Sequence, residues 1–189
     1  MKILIVVATL AEIKSFLAAF NQNMTTDFHK FSYKNSEINI LVAGVGMLHT
    51  CFNMYRILAH QKYDLLLNVG IAGTFNESFP MGEVLQIFSE QIGDLGAETP
   101  NDFISIREMP FFDADKFPYK NGVLYNKNIT HLKSIQSLKK ASSISVNKVS
   151  GSRATIDQQI KYFEADIENM EGAAFFLCLL NVKYSFLRN

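Results

Sequence analysis

Short, continuous apolar runs alternate along this chain with stretches whose apolar residues recur at helical spacing. Lys2 to Ala8 is β-branched and unbroken, which predicts a fully buried strand. Leu10 to Phe20 places apolar side chains at 10, 13, 16, 17 and 20, one face of a helix. Two strands, Asp27–Tyr33 and Glu37–Ala43, are predicted around the turn-forming Lys34-Asn35-Ser36. Gly44-Val45-Gly46 then breaks the pattern before a helix from Leu48 to His60. Asp64–Val69 reads as another buried strand, ending at Gly70-Ile71-Ala72-Gly73, and Glu83–Phe88 as a further one. From Ser89 to Gly122 periodicity is lost, and such a long irregular stretch in a compact domain is usually functional or mobile. A helix over Thr130–Lys139 and a strand over Ile144–Val149 follow. Thr155 is the expected N-cap of a helix reaching Phe163, with Gln158 three positions on. An apolar helix over Gly172–Leu180 and a last strand over Tyr184–Leu187 complete the pattern.

Strands alternating with helices predict an α/β fold: one domain over 1–189, three layers (α/β/α), with a mixed, largely parallel central sheet. Ligands of such sheets bind beyond the carboxyl ends of the strands. The segments Thr9–Glu12, Gly44–Gly46, Gly70–Gly73, Ser150–Thr155 and Glu168–Glu171 all follow strands. Composition narrows the partners. With 18 basic and 18 acidic residues, the chain offers no net field for nucleic acid or an acidic membrane. The apolar N-terminal run is too short to span a membrane, and a core strand explains it better than a signal peptide. Cys51 and Cys178, each in an apolar helical pattern, read as two buried thiols of a reducing, cytoplasmic compartment. His29, His49, His60 and His131 show no metal-ligand spacing, so neither metal nor cofactor is expected. The sequons at Asn23, Asn76 and Asn128 are then chance matches.

Each candidate motif also has a plain structural reading. Gly44-Val45-Gly46 lacks the third glycine of a dinucleotide fingerprint, since His49 stands there; it allows close packing or the approach of a sugar. Gly70-Ile71-Ala72-Gly73 is either a simple turn or a site where backbone amides reach a ligand. Thr9-Leu10-Ala11-Glu12 is a capping-box pattern, which on spacing alone favours a structural Glu12, yet it also sets a carboxylate at the mouth of the first strand. Glu171 before an apolar helix could be a dipole partner, stabilising by ~0.3–1 kcal/mol. Glu168-Asn169-Met170-Glu171 nevertheless crowds two acids and an amide between a strand and a buried helix. Polar groups there need partners, and a hydroxyl-rich ligand would supply them. Met170 could fill the core or underlie a sugar.

Taken in order, the Met1-Lys2-Ile3 strand with Glu12, Asn68-Val69-Gly70-Ile71-Ala72-Gly73, Gly82-Glu83-Val84 and Asn169-Met170-Glu171-Gly172-Ala173-Ala174 resemble the nucleoside phosphorylase/nucleosidase superfamily over nearly the whole chain. Gly93-Asp94-Leu95-Gly96-Ala97-Glu98, with isoleucine at 71, looks most like its futalosine hydrolase branch, which serves a bacterial route to menaquinone. The resemblance implies hydrolysis of a purine nucleoside, futalosine to hypoxanthine and dehypoxanthine futalosine. It implies Glu12 as the carboxylate that activates water, Glu171 as the acid holding the ribose hydroxyls, with Asn169 beside it, and Met170 under the sugar. It places Ile71 and Ala72 at the substrate and Ala154 and Thr155 at the purine, and it implies a homodimer. The first loop lacks the arginine, and the glycine turn the serine, with which phosphorylases bind phosphate, so water is favoured as nucleophile. Other readings are a methylthioadenosine/S-adenosylhomocysteine nucleosidase, a phosphorylase, and a purine-binding module without catalysis. The resemblance also implies a leaving-group acid and a C-terminal helix past Asn189. The chain therefore reads as C-terminally truncated or degenerate, lacking that helix, and as weak or inactive in this form.

Overall fold

The computed structural model describes residues 1–100, 102–126 and 132–186. His131, the Asn128 sequon, the first residues of the helix predicted from Thr130, and Leu187 to Asn189 lie outside them. The elements are β1 (Lys2–Val7), α1 (Leu10–Ala19), β2 (Phe28–Tyr33), β3 (Ser36–Val42), α2 (Met47–Leu58), β4 (Leu65–Asn68), β5 (Gly73–Thr74), β6 (Leu85–Ile92), β7 (Gly96–Glu98), β8 (Phe103–Ser105), β9 (Leu124–Tyr125), α3 (Lys133–Gln136), β10 (Lys139–Ser145), α4 (Arg153–Phe163), β11 (Ile167–Asn169) and α5 (Gly172–Phe186).

Hydrogen bonding divides the strands into two main sheets, of order β2-β3-β1-β4 and β5-β11-β10-β6-β9, plus the β7-β8 hairpin. In the first, β3, β1 and β4 are parallel and β2 is antiparallel at the edge. In the second, β11, β10 and β6 are parallel, flanked by antiparallel β5 and β9. The expected mixed, largely parallel architecture is present, with two separately hydrogen-bonded sheets in place of one.

β1 shows why a continuous apolar run suits its position. Ile5 and Val7 pack with Ile13 and Leu17 of α1 on one face. Leu4 and Val6 pack with Met54 and Leu58 of α2 and with Ala173, Phe175 and Phe176 of α5 on the other. The second sheet is covered by α5 on its inner face, while Phe163 of α4 packs with Ile144 and Val146 on its outer face. α2 and α5 thus form the shared layer. Cys51 and Cys178, 127 positions apart in sequence, meet there as free thiols with Sγ atoms 3.7 Å apart and only partly buried. Burial and the neighbouring Cys51 push the Cys178 thiol up to about 12.

Several predicted elements shift. β6 runs on to Ile92 and so carries Glu90 inside the sheet, where the sequence pattern ended the strand at Phe88. β10 begins at Lys139, which shortens the predicted helix to α3. The N-cap of α4 is Ser152, not Thr155: Ser152 is extended, and its Oγ accepts the Thr155 amide at 3.2 Å. The last predicted strand is absent from 184–186, because α5 continues to Phe186. No glycine or proline stands between Leu180 and Phe186 to stop it, and Asn181 satisfies its side chain on the Leu177 carbonyl at 2.8 Å. Among the described residues no helix is long and apolar enough to cross a membrane.

Met54 is fully buried at the junction of α2 with β1 and α5. Met54→Ala should cost about 2–5 kcal/mol of unfolding free energy, read from the shift of a urea denaturation midpoint.

Candidate active site

The carboxyl ends of β1, β3 and β4 lie side by side, and the loop from β4 to β5 carries the chain from the first sheet to the second. Glu12 stands at the first turn of α1, just past β1. Its Oε2 accepts the Thr9 amide at 2.8 Å, the reach-back half of the expected capping box. Its Oε1 accepts the Ile71 amide at 3.3 Å. A Cβ on Gly70 would stand 2.9 Å from that oxygen, so a glycine lets the end of β4 close onto the carboxylate. The Ile71 amide of this turn is therefore directed at the protein's own Glu12. The Ile71 side chain is 84% exposed and Ala72 is exposed beside it.

Glu171 reaches the same region from the second sheet. The Gly46 amide donates to its Oε1 at 2.8 Å, across 125 residues of sequence. Gly46 has φ +92°, a conformation that glycine tolerates and that aims this N–H at the carboxylate. Burial, followed by the charge of Glu12, raises the Glu171 pKa against the lowering effect of the Gly46 amide. Two carboxylates from the two sheets thus share one electrostatic environment. Met170, half-buried, lies between Glu171 and Asn169 in the chain.

Asn169 does something other than face a ligand. Its Oδ1 accepts the amides of Glu171 (2.8 Å) and Gly172 (2.6 Å), capping α5. Its Nδ2 donates to Glu90 Oε1 (2.7 Å) and Ser143 Oγ (2.6 Å). Both ends of the amide are thus engaged within the protein. Glu168 is likewise a latch: it accepts the Ser150 amide and hydroxyl, each at 2.8 Å, and so ties the loop before α4 to β11. Ala154 and Thr155 sit in the first turn of α4, joined to the site through this latch; the hydroxyl of Thr155 pairs with Ser152 at 2.9 Å.

Glu90 is the residue that sequence reasoning passed over. It is 1% exposed beneath the first turn of α5, bonded to Asn169 and to the Ser145 hydroxyl (3.0 Å). Burial pushes its pKa up to about 7. Gly172 is required above it, since a Cβ there would fall 2.0 Å from Glu90 Oε1. A usable signal was present in Ser143-Ile144-Ser145: the isoleucine faces α4, so the serines at alternate positions had to face inward, where a polar partner was needed. A separate small cavity lined by Gln91, Arg107, Phe112, Tyr119 and Phe163 includes neither Glu12 nor Glu171. Arg107 is held there by Gln91 and the Tyr162 carbonyl.

The site lies where a doubly covered α/β sheet offers its strand ends, and the sequence in that frame matches the model of the Phosphorylase superfamily over residues 2–187. The chain belongs to the Phosphorylase superfamily. Among solved structures, this superfamily member is similar to a futalosine hydrolase mutant of Helicobacter pylori, with 17% identity, TM-score 0.70, and coverage of 98% of this chain and 85% of that one. It is similar to a 5'-methylthioadenosine/S-adenosyl homocysteine nucleosidase of Campylobacter jejuni, with 18% identity, TM-score 0.74, and coverage of 97% and 81%. A nucleosidase of the latter kind from S. pneumoniae, solved with the transition-state inhibitor MT-ImmA, aligns at 17% identity and TM-score 0.69, with coverage of 97% and 81%. These likenesses establish the shared fold. No curated protein matches the sequence.

Glu90 gives this superfamily member a distinct stability profile. Its pKa in the fold lies above the ordinary 4.5, so the contribution of the neutral form is complete below about 4.5 and lost as pH rises through about 7. The interval corresponds to about 3 kcal/mol. Glu90→Gln keeps a neutral side chain of the same shape. Urea unfolding at pH 5 and pH 8 should show the variant gaining on the wild type by up to that amount at the higher pH.

Proposed function

We propose that this chain is a nucleosidase that hydrolyses the N-ribosidic bond of a purine nucleoside, with Glu12 and Glu171 as its two working carboxylates. The observation that carries the reading is their convergence: each is held by a backbone amide of a glycine-containing turn, and the charge of Glu12 is felt at Glu171. On this reading Glu171 accepts hydrogen bonds from the ribose hydroxyls. Those bonds strengthen as positive charge develops on the sugar in an oxocarbenium-like transition state. Glu12 takes the proton of a water attacking the anomeric carbon. Met170 would lie under the sugar, and the stretch around Ile71, Ala72, Ala154 and Thr155 would border the substrate.

Water is favoured over phosphate by the same geometry. The Ile71 amide, which could serve an anion, already serves Glu12, and a phosphate brought to this turn would meet the negative charge of that carboxylate. We infer futalosine as the substrate, from Gly93–Glu98 and Ile71 and from the likeness to the Helicobacter pylori enzyme. A methylthioadenosine/S-adenosylhomocysteine nucleosidase is the second reading, since the Campylobacter jejuni enzyme aligns equally well. The domain is proposed to span 1–189, to act in the cytoplasm and to form a homodimer. Leu48, Phe52 and Tyr55, exposed at 80%, 60% and 71% along one face of α2, make an apolar stripe that a second copy would cover.

Calorimetry and base release with futalosine and with methylthioadenosine test the proposal. Hypoxanthine released faster than adenine supports the futalosine assignment, and the reverse supports the second reading. Glu12→Gln should slow release by about 10²–10⁴-fold with binding nearly unchanged. Glu171→Gln should weaken binding by about 10–100-fold, the loss of a hydrogen bond to a charged group. Phosphate-dependent turnover would overturn the hydrolase reading; binding unchanged in Glu12→Gln, with no turnover even in a version extended past Asn189, would make the protein a purine-binding module. Leu48→Asp should lower the sedimenting mass to that of a monomer.

A further inference from the structure

The contacts at Ser145 bear on the protonation state of Glu90. Three polar neighbours converge on this one hydroxyl: the Ala173 amide donates to it at 2.7 Å, and Glu90 Oε2 and Asn169 Oδ1 lie at 3.0 and 3.1 Å. Asn169 Oδ1 is an acceptor, because it already receives two backbone amides. If Glu90 is ionised, its Oε2 is an acceptor too; the single Ser145 proton can lie toward only one of the two oxygens, and the other then faces Ser145 Oγ at 3.0 or 3.1 Å with no hydrogen between them. If Glu90 carries a proton on Oε2, the chain closes: Glu90 O–H donates to Ser145 Oγ, and Ser145 O–H donates to Asn169 Oδ1. The serine then accepts twice and donates once, and a hydrogen lies between Ser145 Oγ and each of the two neighbouring oxygens.

The closed network ends on the backbone that presents Glu171. Asn169 Oδ1 holds the Glu171 and Gly172 amides, and Gly172 rests directly on Glu90. We propose that protonated Glu90 is a positioning residue for Glu171: it fixes the head of α5 so that the Glu171 carboxylate meets the ribose hydroxyls, and its ionisation releases that alignment. This inference rests on the nucleosidase reading above.

The titratable neighbours set the sign. On the elements packed around Glu90 these are Glu171 at the head of α5, Cys178 within α5, Glu168 on β11, Tyr125 on β9, and Lys139 and Lys140 at the start of β10. Glu168 is engaged by Ser150, and Lys139 pairs with Glu83. Glu171 raises the Glu90 pKa in the same sense as burial does. Ionising Glu90 therefore adds a second charge near Glu171 and removes the proton that completes the network. Acidification acts at the other end, by neutralising Glu171 itself.

The test is affinity for futalosine, with methylthioadenosine in parallel, across pH 5–9 for the wild type, Glu90→Gln and Glu90→Ala. Glutamine reproduces the protonated acid, accepting from Asn169 and donating to Ser145, but cannot ionise. Wild-type affinity should fall above neutral pH by up to tenfold per unit, Glu90→Gln should stay level there, and Glu90→Ala should be at least tenfold weaker at pH 6. Wild type and Glu90→Gln falling together above neutrality would overturn the proposal. A ligand-free readout separates it from the functional reading: carboxyl carbon shifts of ¹³C-labelled glutamate across the same range. If no nucleoside binds at any pH, the nucleosidase reading fails, and the titration alone decides the coupling. A Glu90 step near neutrality, mirrored as a second inflection at Glu171 that vanishes in Glu90→Gln, supports it. A Glu90 step in the ordinary carboxylate range overturns it.

Discussion

Glu90 can lie at 1% exposure only because Asn169 and Ser145 converge on it and because Gly172 leaves room for its carboxyl group. A buried acid without such partners would carry a large desolvation penalty. The same groups that satisfy it also cap α5: Asn169 takes two amides of its first turn, and Ser145 takes a third, that of Ala173. One polar network thus satisfies an interior acid, closes a helix start and fixes the residue before that helix, Glu171. Moving any member displaces the others. This is why an apolar helix carrying Phe175 and Phe176 into the core enters at a fixed angle despite having no side-chain charge of its own in its first turn.

The two sheets are joined at the site by contacts with little tolerance. Gly46 sends its amide from the end of β3 to Glu171, and Gly70 lets the end of β4 approach Glu12. Each carboxylate is positioned by a turn of the first sheet, whichever sheet supplies its own backbone. The cap role and the proposed chemical role of Glu12 use different oxygens. Oε2 is engaged by Thr9 at 2.8 Å, whereas Oε1 has only the longer contact to Ile71 at 3.3 Å. Holding one oxygen firmly restricts the side chain without neutralising it, which suits a base that must meet a water from a fixed direction.

What the sequence revealed follows from the range of each interaction. Runs such as Lys2–Val7 and periodic stretches such as Leu10–Ala19 carry local patterns, and they become β1 and α1 nearly to the residue. Glu12 and Glu171 were marked by position, next to a strand end and a helix start. Glu90 was hidden because its environment is assembled from β6, β10, β11 and α5, elements widely separated in sequence. Asn169 is an amide beside a buried helix, and such a group needs partners. The partners were Glu90, Ser143 and the α5 amides, which only the parallel pairing of β10 between β6 and β11 brings together. Thr155 illustrates the smaller error: Ser152 and Thr155 are both capping residues by type, and the extended backbone at Ser152 decides between them.

The charge balance of the site bears on the proposed chemistry. Glu12, Glu90, Glu168 and Glu171 gather around the strand ends, and the ion pairs of Lys2 with Glu37, Lys139 with Glu83, Arg153 with Asp157, and Lys161 with Asp102 involve none of them. Backbone amides, hydroxyls and the Asn169 side-chain amide hold the four acids instead. They fix geometry while leaving negative potential uncancelled, and Glu171 registers that potential as a raised pKa partly caused by Glu12. A neutral nucleoside gains little from such a field. A ribosyl group that becomes cationic as its bond to the purine breaks gains more, and the gain grows with the developing charge. On the proposed reading, a neutral Glu90 limits the field to Glu12 and Glu171, the acids proposed to face the sugar. The buried proton and the half-buried charges are on this view two parts of one electrostatic arrangement, stable in the free protein and most favourable when a positive charge appears between Glu12 and Glu171.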